Sequence, residues 1–430
     1  MERRPYILVA SGSNSHGQLA TDSTEDSHSF IRCIFAGCEP GLLPPNTHRV
    51  LQLASGANHT LVLLQRDDET RELWGCGDGH NGKLGREFRT KHGTASVFQP
   101  IDLPFRTTYA PLGYTCRLIA AAFETSYLVL SSPTRPDVLI SMGANYFGSL
   151  GIGADETSNG PHIIPIDKIL ADGYLLDVND FDLNSLSAGP RHVIMDVRAS
   201  LRGGSRRSLL IGWGACRHGQ LGNEVQTAMA ANPQIIPVDI SSDPPQSFAL
   251  GEQHTAILHA SGRVTTLGSN RRGQLQDAAT WTNIRSIGCT WKGTYLMAER
   301  DGNRVVLATG SNSHGQLGQG NCTDSKEPVN LRPVDFPFSD EGRRLRVVVC
   351  GSEHILVLTA LSAPDVTGDE ESAVEVWGWG WNEHGNLGLG NTTDITTPTK
   401  IWPSVSDTDY SSSTVVGAWA GCGTSWIALS

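Results

Sequence analysis

The sequence has no run of about 18 apolar residues, so nothing in it reads as a membrane-spanning helix. Its first residues, MERRPYILVASGS, carry two arginines and then an apolar stretch too brief for a secretory signal. There is no CxxC. Among nine cysteines only Cys33 and Cys38 are close, and no second pair completes a zinc site. An odd count of scattered cysteines without a secretion signal fits reduced thiols, and the expected location is the cytoplasm, extending to the nucleus. The phosphate-cradling GxxxxGK[ST] loop is missing, as are HExxH and GxSxG. Basic charge is also short: 33 Lys and Arg stand against 44 Asp and Glu, a net charge of −11 that repels phosphate backbones. The nearest basic cluster, Arg202 to Arg207 (RGGSRR), reads as a solvated glycine-rich loop. These absences leave no catalytic residue, metal or cofactor to expect, and no direct contact with nucleic acid or membrane.

What the chain has in excess is glycine, 47 residues with no collagen period, which points to tight turns and β structure. The glycines fall in a repeat: GSNSHGQL (12–19), GDGHNGKLG (77–85), GANYFGSLG (143–151), GACRHGQLG (214–222), GSNRRGQL (268–275), GSNSHGQLG (310–318) and GWNEHGNLG (380–388). Each of the seven copies is glycine, four residues, glycine, one residue, leucine. The second glycines, Gly17, Gly82, Gly148, Gly219, Gly273, Gly315 and Gly385, are expected to be structural, with positive φ in the turn. The Asn of G-x-N-x-x-G is expected to tolerate the left-handed region there. The leucine is expected to plug between neighbouring units.

A second element alternates with the first: SGANHTLVLL (55–64), AAFETSYLVL (121–130), AGPRHVIMDV (188–197), LGEQHTAILH (250–259), CTWKGTYLMA (289–298), CGSEHILVLT (350–359) and AGCGTSWIAL (420–429). A small residue turns the chain and β-formers follow. Seven interleaved all-β units predict an all-β fold, a single seven-bladed β-propeller over residues 1–430. The chain opens on a strand that leads into a glycine motif and closes on a strand without one. The N- and C-terminal strands are therefore expected to pair and close the ring, removing sheet edges. Extra inter-strand loops are expected near 20–48, 87–112, 198–208 and 361–374.

The paired G-x-N-x-x-G-Q-L-G and G-x-x-H-T elements resemble the regulator-of-chromosome-condensation repeat over essentially the whole chain. Within that family, GSEHILVLT (351–359), WGWGWNEHGNLG (377–388), AGCGTSWIAL (420–429) and CTWK (289–292) are similar to the fungal alpha-tubulin-suppressor, or killer-toxin-insensitivity, group of propellers. The extra loops and the middle blades depart from that group. The resemblance implies a non-catalytic scaffold paired with a small CSL-type zinc-finger protein. The pair would supply electrons for diphthamide synthesis on an elongation factor and support Elongator-dependent modification of tRNA wobble uridines, with the metal on the partner. The wider family implies an alternative, a guanine-nucleotide exchange factor or chromatin-associated regulator.

Histidines recur in one slot of the second element, at His59, His192, His254 and His354, with Thr125, Lys292 and Thr424 read at the same slot elsewhere. A repeated slot of this kind reads as a hydrogen-bonded turn residue, not a metal ligand. Departures from the repeat carry more information about function. After the first glycine, six motifs hold a short residue and one holds Trp381. In Trp377-Gly-Trp379-Gly-Trp381 the indoles would share one face if the strand stayed extended. Trp379 aligns with Trp213 and Cys76 and reads as core, while Trp381 reads as a ring-face residue of the kind that anchors protein interfaces. Trp291 and Lys292 replace the Asn-His or Gln-His pair. The candidate partner-binding patch is therefore Trp291, Lys292, Glu353, His354, Trp381, Glu383 and His384.

Overall fold

A computed structural model describes residues 6–101, 112–154, 160–173, 176–201, 206–222, 227–300, 302–323, 330–338, 342–361, 374–403 and 413–430. Its strands form seven antiparallel sheets, six of four strands and one of three. Blade one runs Thr47–Ser55, His59–Arg66, Arg71–Asp78, Thr94–Pro100. Blade two runs Thr115–Ala121, Thr125–Ser132, Arg135–Gly143, His162–Ile163, and blade three Leu176–Ala188, His192–Leu201, Arg206–Ala215, Met229–Ile235. Blade four has Pro245–Leu250, His254–His259 and Val264–Gly268. Blade five runs Ile284–Thr290, Gly293–Arg300, Asn303–Gly310, Arg332–Pro333, and blade six Arg343–Cys350, His354–Leu361, Val374–Gly380, Ile395–Trp402. Blade seven joins the two chain ends: Val415–Ala420 and Thr424–Leu429 pair with Ile7–Gly12 and Ser27–Arg32. Ile7 to Gly12 lie antiparallel to Leu429 to Thr424 in unbroken register, which is the ring closure expected from the sequence.

The seven glycine motifs mark seven blades. In each blade the first strand is innermost. Ser55, Ala121, Ala188, Leu250, Cys289, Cys350 and Ala420 at the ends of these strands line a narrow central channel with about 120 Å³ of free space. The second strand is covered on both faces by neighbouring blades. For this reason HTLVLL at the start of His59–Arg66 is buried at every position, without a buried–exposed alternation. The core is a set of layers between blades. Between blades five and six, for example, Tyr295, Met297, Ile355, Val357 and Trp379 are fully buried together. Each such aliphatic side chain contributes about 1.5–3 kcal/mol. Among the described residues no helix is long and apolar enough to cross a membrane.

Several expectations need correction. Blade four lacks an outer strand: only residues 269–283 separate Gly268 from the next innermost strand, too few for a motif turn, an edge strand and the return. Its motif leucine, Leu275, is half-buried, whereas Leu19, Leu84, Leu150, Leu221, Leu317 and Leu387 are buried between blades. The stretches near 20–48 and 87–112 are not plain insertions, since they contain the edge strands Ser27–Arg32 and Thr94–Pro100 and most of a helix, Arg86–Lys91. Their polar sequences read as loop because an edge strand faces water. The 198–208 stretch is mostly the hairpin of blade three, with 202–205 outside the described residues, as are 102–111 of the second stretch and 362–373 of the last.

The motif asparagine also works differently. Both motif glycines take positive φ in every copy, 72–78° at Gly17, Gly82, Gly148, Gly219, Gly273, Gly315 and Gly385. The asparagines do not; Asn145, for one, has φ −98°. Asn acts through its side chain instead. Oδ1 of Asn14, Asn145, Asn270, Asn312 and Asn382 accepts the N–H of the motif leucine at 2.8–3.0 Å. Nδ2 of Asn14, Asn312 and Asn382 donates to carbonyls of the following loop. The amide thus holds both ends of the turn.

Candidate functional site

The glycine motifs all turn on one face of the ring, and a repeated backbone bond pins them there. The carbonyl just before each second strand accepts the N–H that follows the first motif glycine. The pairs are Asp78 to Asn58, Ala144 to Glu124, Ala215 to Arg191, Ser269 to Gln253, Ser311 to Lys292, Trp381 to Glu353 and Ser13 to Gly423, at 2.7–3.0 Å. These bonds also set the register of the second element. Gly293 pairs with Gly310 as His59 pairs with Gly77 and His354 with Gly380. The residue in the histidine slot of blade five is therefore Gly293. Lys292 belongs with Asn58, Glu124 and Glu353 one position earlier, and Trp291 one earlier still, beside Phe123 and Glu252. The sequence reading, which put Lys292 in that slot, was one residue out.

The histidines of that slot lie beneath the face. His59, His192, His254 and His354 are fully buried. Each Nε2 meets a hydroxyl of the next blade: Ser126 at 2.9 Å, Thr255 at 2.8 Å, Thr294 at 3.1 Å and Ser425 at 3.0 Å. Burial pushes His59 and His192 down to about 3, with the Lys83 charge adding to the effect at His59, and pushes His254 and His354 down to about 4. They are neutral joints between blades. His354 therefore leaves the partner-binding patch, because its side chain cannot reach a partner.

Four candidates do gather on blades five and six. Glu353 is the hub: Gln316 Nε2 donates to it at 2.8 Å, and the Nε2 of His314 and Nζ of Lys292 each lie 3.8 Å away. Trp381 is half-buried between His314 and His384, with ring centroids 6.3 and 5.2 Å apart. Gly423 of blade seven lies against both the Trp381 and His384 rings, so the large residue of one blade meets the absent side chain of the next. The strand ends at Gly380, φ 101°, and the shared-face alternation expected for the three tryptophans stops there. Trp379 is core, as read: its Nε1 donates to the Gln316 carbonyl at 2.8 Å, and Trp213 makes the same bond to Ser149. His384 Nδ1 lies 2.6 Å from Asp26 of blade seven, and Glu383 is exposed.

Trp291 is not part of this group. It stands at the mouth of the channel, facing Phe123 of blade two at 6.3 Å. There it joins Tyr146, Phe147, Pro190, Arg191 and Glu252 around a cleft of about 250 Å³. Sequence reading missed this group, although its own logic could have found it. Tyr146-Phe147 is the one motif pair before the second glycine without a polar residue. A buried lysine was missed too: Lys83 sits where other motifs hold Gln, Ser or Asn, and its Nζ meets Asp78 at 2.7 Å and Glu124 of blade two. Burial alone would raise the Asp78 carboxyl, but hydrogen bonds from Lys83 and His80 outweigh it and hold it well below the carboxylate range. Burial disfavours the thiolate form of the channel cysteines. Burial pushes Cys289 up to about 12 and Cys422 up to about 11, and Cys350 also rises. Among the described residues no group of three or more His, Cys, Asp or Glu could hold a metal ion.

Residues 305–358 and 375–425 match the model of the regulator of chromosome condensation (RCC1) repeat. The chain is 27% identical to the Ultraviolet-B receptor UVR8 of Arabidopsis thaliana, over 91% of this chain and 77% of that protein. It is 23% identical to the secretion-regulating guanine nucleotide exchange factor of Mus musculus, over 92% of this chain and 78% of that one. Among solved structures, human WBSCR16 superposes with a TM-score of 0.69 over 99% of both chains at 18% identity, a likeness of fold.

Proposed function

We propose that this chain, a seven-bladed RCC1-like propeller, is a non-catalytic binding scaffold whose partner in the cytoplasm is a small CSL-type zinc-binding electron carrier. The pair would serve diphthamide synthesis and, indirectly, Elongator-dependent tRNA modification. One observation carries the scaffold reading. On a face pinned by seven repeated backbone bonds, Lys292, Glu353, Trp381 and His384 lie together on blades five and six, with Glu383 exposed beside them. A half-buried tryptophan held between two histidines fits the anatomy of an interface, and a small domain resting on a few blades can bury the usual total of about 1,600 Å². The partner's identity rests on the resemblance of the C-terminal motifs.

Titration calorimetry of the full chain with the purified zinc protein decides it. A one-to-one complex is expected, weakened at least ten-fold by Trp381→Ala and by Glu383→Arg; the second variant changes an exposed side chain and spares the packing. No heat and no co-elution at tens of micromolar would remove this partner. The 23% identity to a mouse protein named as a guanine nucleotide exchange factor favours a second reading. Faster nucleotide release from a small GTPase, with no heat in the titration, would put that reading first.

A further inference from the structure

Four aromatic side chains meet where the repeat elsewhere carries small or polar groups. Phe123 and Trp291 hold a position that is Ala57, Pro190, Glu252, Ser352 or Cys422 in the other blades. Tyr146 and Phe147 replace motif pairs such as Ser15-His16, Arg217-His218 and Glu383-His384. Phe123, Tyr146 and Phe147 are 42, 63 and 46% exposed. Phe147 also has φ 60°, left-handed backbone that a bulky residue adopts only under strain. Only one other motif has positive φ at this position, and there the residue is Asn81, which suits it. A strained aromatic held out into water gains no core burial in return, which is the pattern of a functional constraint.

The cleft between these rings has a basic flank. Arg191 lies 5.1 Å over the Phe147 ring and is neutralised by Glu252 at 2.8 Å. Arg217 and Arg271 occupy the Tyr146 position on blades three and four, the next two round the ring, and both are exposed. Neither has an ion-pair partner among the described residues. Both charges act on His218, which burial and then Arg271, Arg217 and Arg191 hold below its usual pKa. In a chain of net charge −11 this is a local reversal of sign.

We propose that this cleft docks an extended acidic segment of a partner protein, one large apolar side chain entering between Phe123, Phe147 and Trp291 while carboxylates face Arg217 and Arg271. At about 250 Å³ the cleft is smaller than the usual small-molecule site of about 300–1,000 Å³ and suits a single anchoring side chain. Aromatic walls supply the anchor's burial, and the exposed Arg217 and Arg271 supply steering toward acidic sequence. Stacking aromatics and arginines also suit single-stranded nucleic acid. Nucleic-acid binders of that kind stack successive bases along a groove, whereas a single cleft of about 250 Å³ admits one side chain, which favours protein. The surface lies on blades two to five and is separate from the Glu353–Trp381 patch.

The test uses fluorescein-labelled dodecapeptides and the full chain, read by fluorescence polarisation. One peptide is Asp/Glu-rich with a central Leu-Phe, one replaces Leu-Phe by Ser-Ser, and one replaces the acidic residues by lysine. The first is expected to bind at least ten-fold more tightly than either of the others, and several-fold more weakly when salt rises from 50 to 300 mM. Phe147→Gly is expected to weaken it at least ten-fold with no fall in melting temperature, since glycine suits this backbone. Arg217→Glu with Arg271→Glu is expected to remove the salt dependence. Calorimetric binding of the zinc protein should survive Phe147→Gly, so the two readings fail separately. The docking site is overturned by no binding at hundreds of micromolar, by equal binding to Phe147→Gly, or by tighter binding of a labelled uridine dodecamer.

Discussion

Asn312 shows how much of the fold rests on single side chains. Its Oδ1 accepts the N–H of Leu317 at 3.0 Å, and its Nδ2 donates to the Asn321 carbonyl at 3.0 Å and to the Asn321 side-chain oxygen at 2.8 Å. The residue is almost wholly buried, so these groups have no water to replace a lost partner. Asn312→Ala would leave a buried leucine N–H unpaired and is expected to cost about 2–3 kcal/mol. Urea unfolding of the two proteins checks this. Asn312→Asp keeps the acceptor for Leu317 but loses the donor, and should fall between them. The same logic does not extend to blades one and three, where Gly79 and Cys216 occupy the position and leave no such amide.

Between blades, the joints are histidines. His59, His192, His254 and His354 each reach a hydroxyl on the next blade, and all four are held neutral by burial. The unfolded chain takes up a proton on each ring below about pH 6.5, while the folded chain does not until about 3 to 4. Stability from this source is therefore full above pH 6.5 and is lost as the pH falls toward the folded values. Each ring contributes a slope of about 1.4 kcal/mol per pH unit in that window, or about 5 kcal/mol for the four together. Urea midpoints are expected to be flat from pH 8 to 7 and to drop steeply from 6.5 to 5.5, where few carboxylates titrate. His254→Gln should remove about a quarter of that drop. An unchanged slope would show that this histidine is not neutral in the folded ring.

At the scale of the whole molecule, the pairing of Ile7–Gly12 with Thr424–Leu429 makes the two ends one unit. Leu8, Val9 and Ala10 are fully buried, Leu8 and Ala10 in the layer toward blade one and Val9 in the layer toward blade six. Deleting residues 1–12 removes that burial and bares the edge of Thr424–Leu429, a loss on the order of 5 kcal/mol together with an open template for self-association. The truncated chain is expected to melt earlier and to elute as aggregates or dimers. A monomer with an unchanged midpoint would mean that the ring does not depend on its closing strand.

Much of this was written in the sequence because a propeller repeats its local physics. Each glycine motif needs positive φ at its two glycines, and each second strand needs β-formers, so seven blades and their closure could be read without coordinates. Trp379 could be assigned to the core by its alignment with Trp213. Where the repeat was incomplete, local reading lost its footing. Blade five has Gly293 where four blades have histidine, so only its pairing with Gly310 placed Lys292 one position earlier. The depth of His354 beneath the face, and the filling of the Gly423 gap by Trp381, depend on how one blade packs on the next. Phe123 and Trp291 are far apart in the chain and become neighbours across the channel because the ring closes. Sequence determines a repeat unit because its turns and strands are local, whereas the surface is composed by residues from several units, which meet only when tertiary packing sets the rotation between blades.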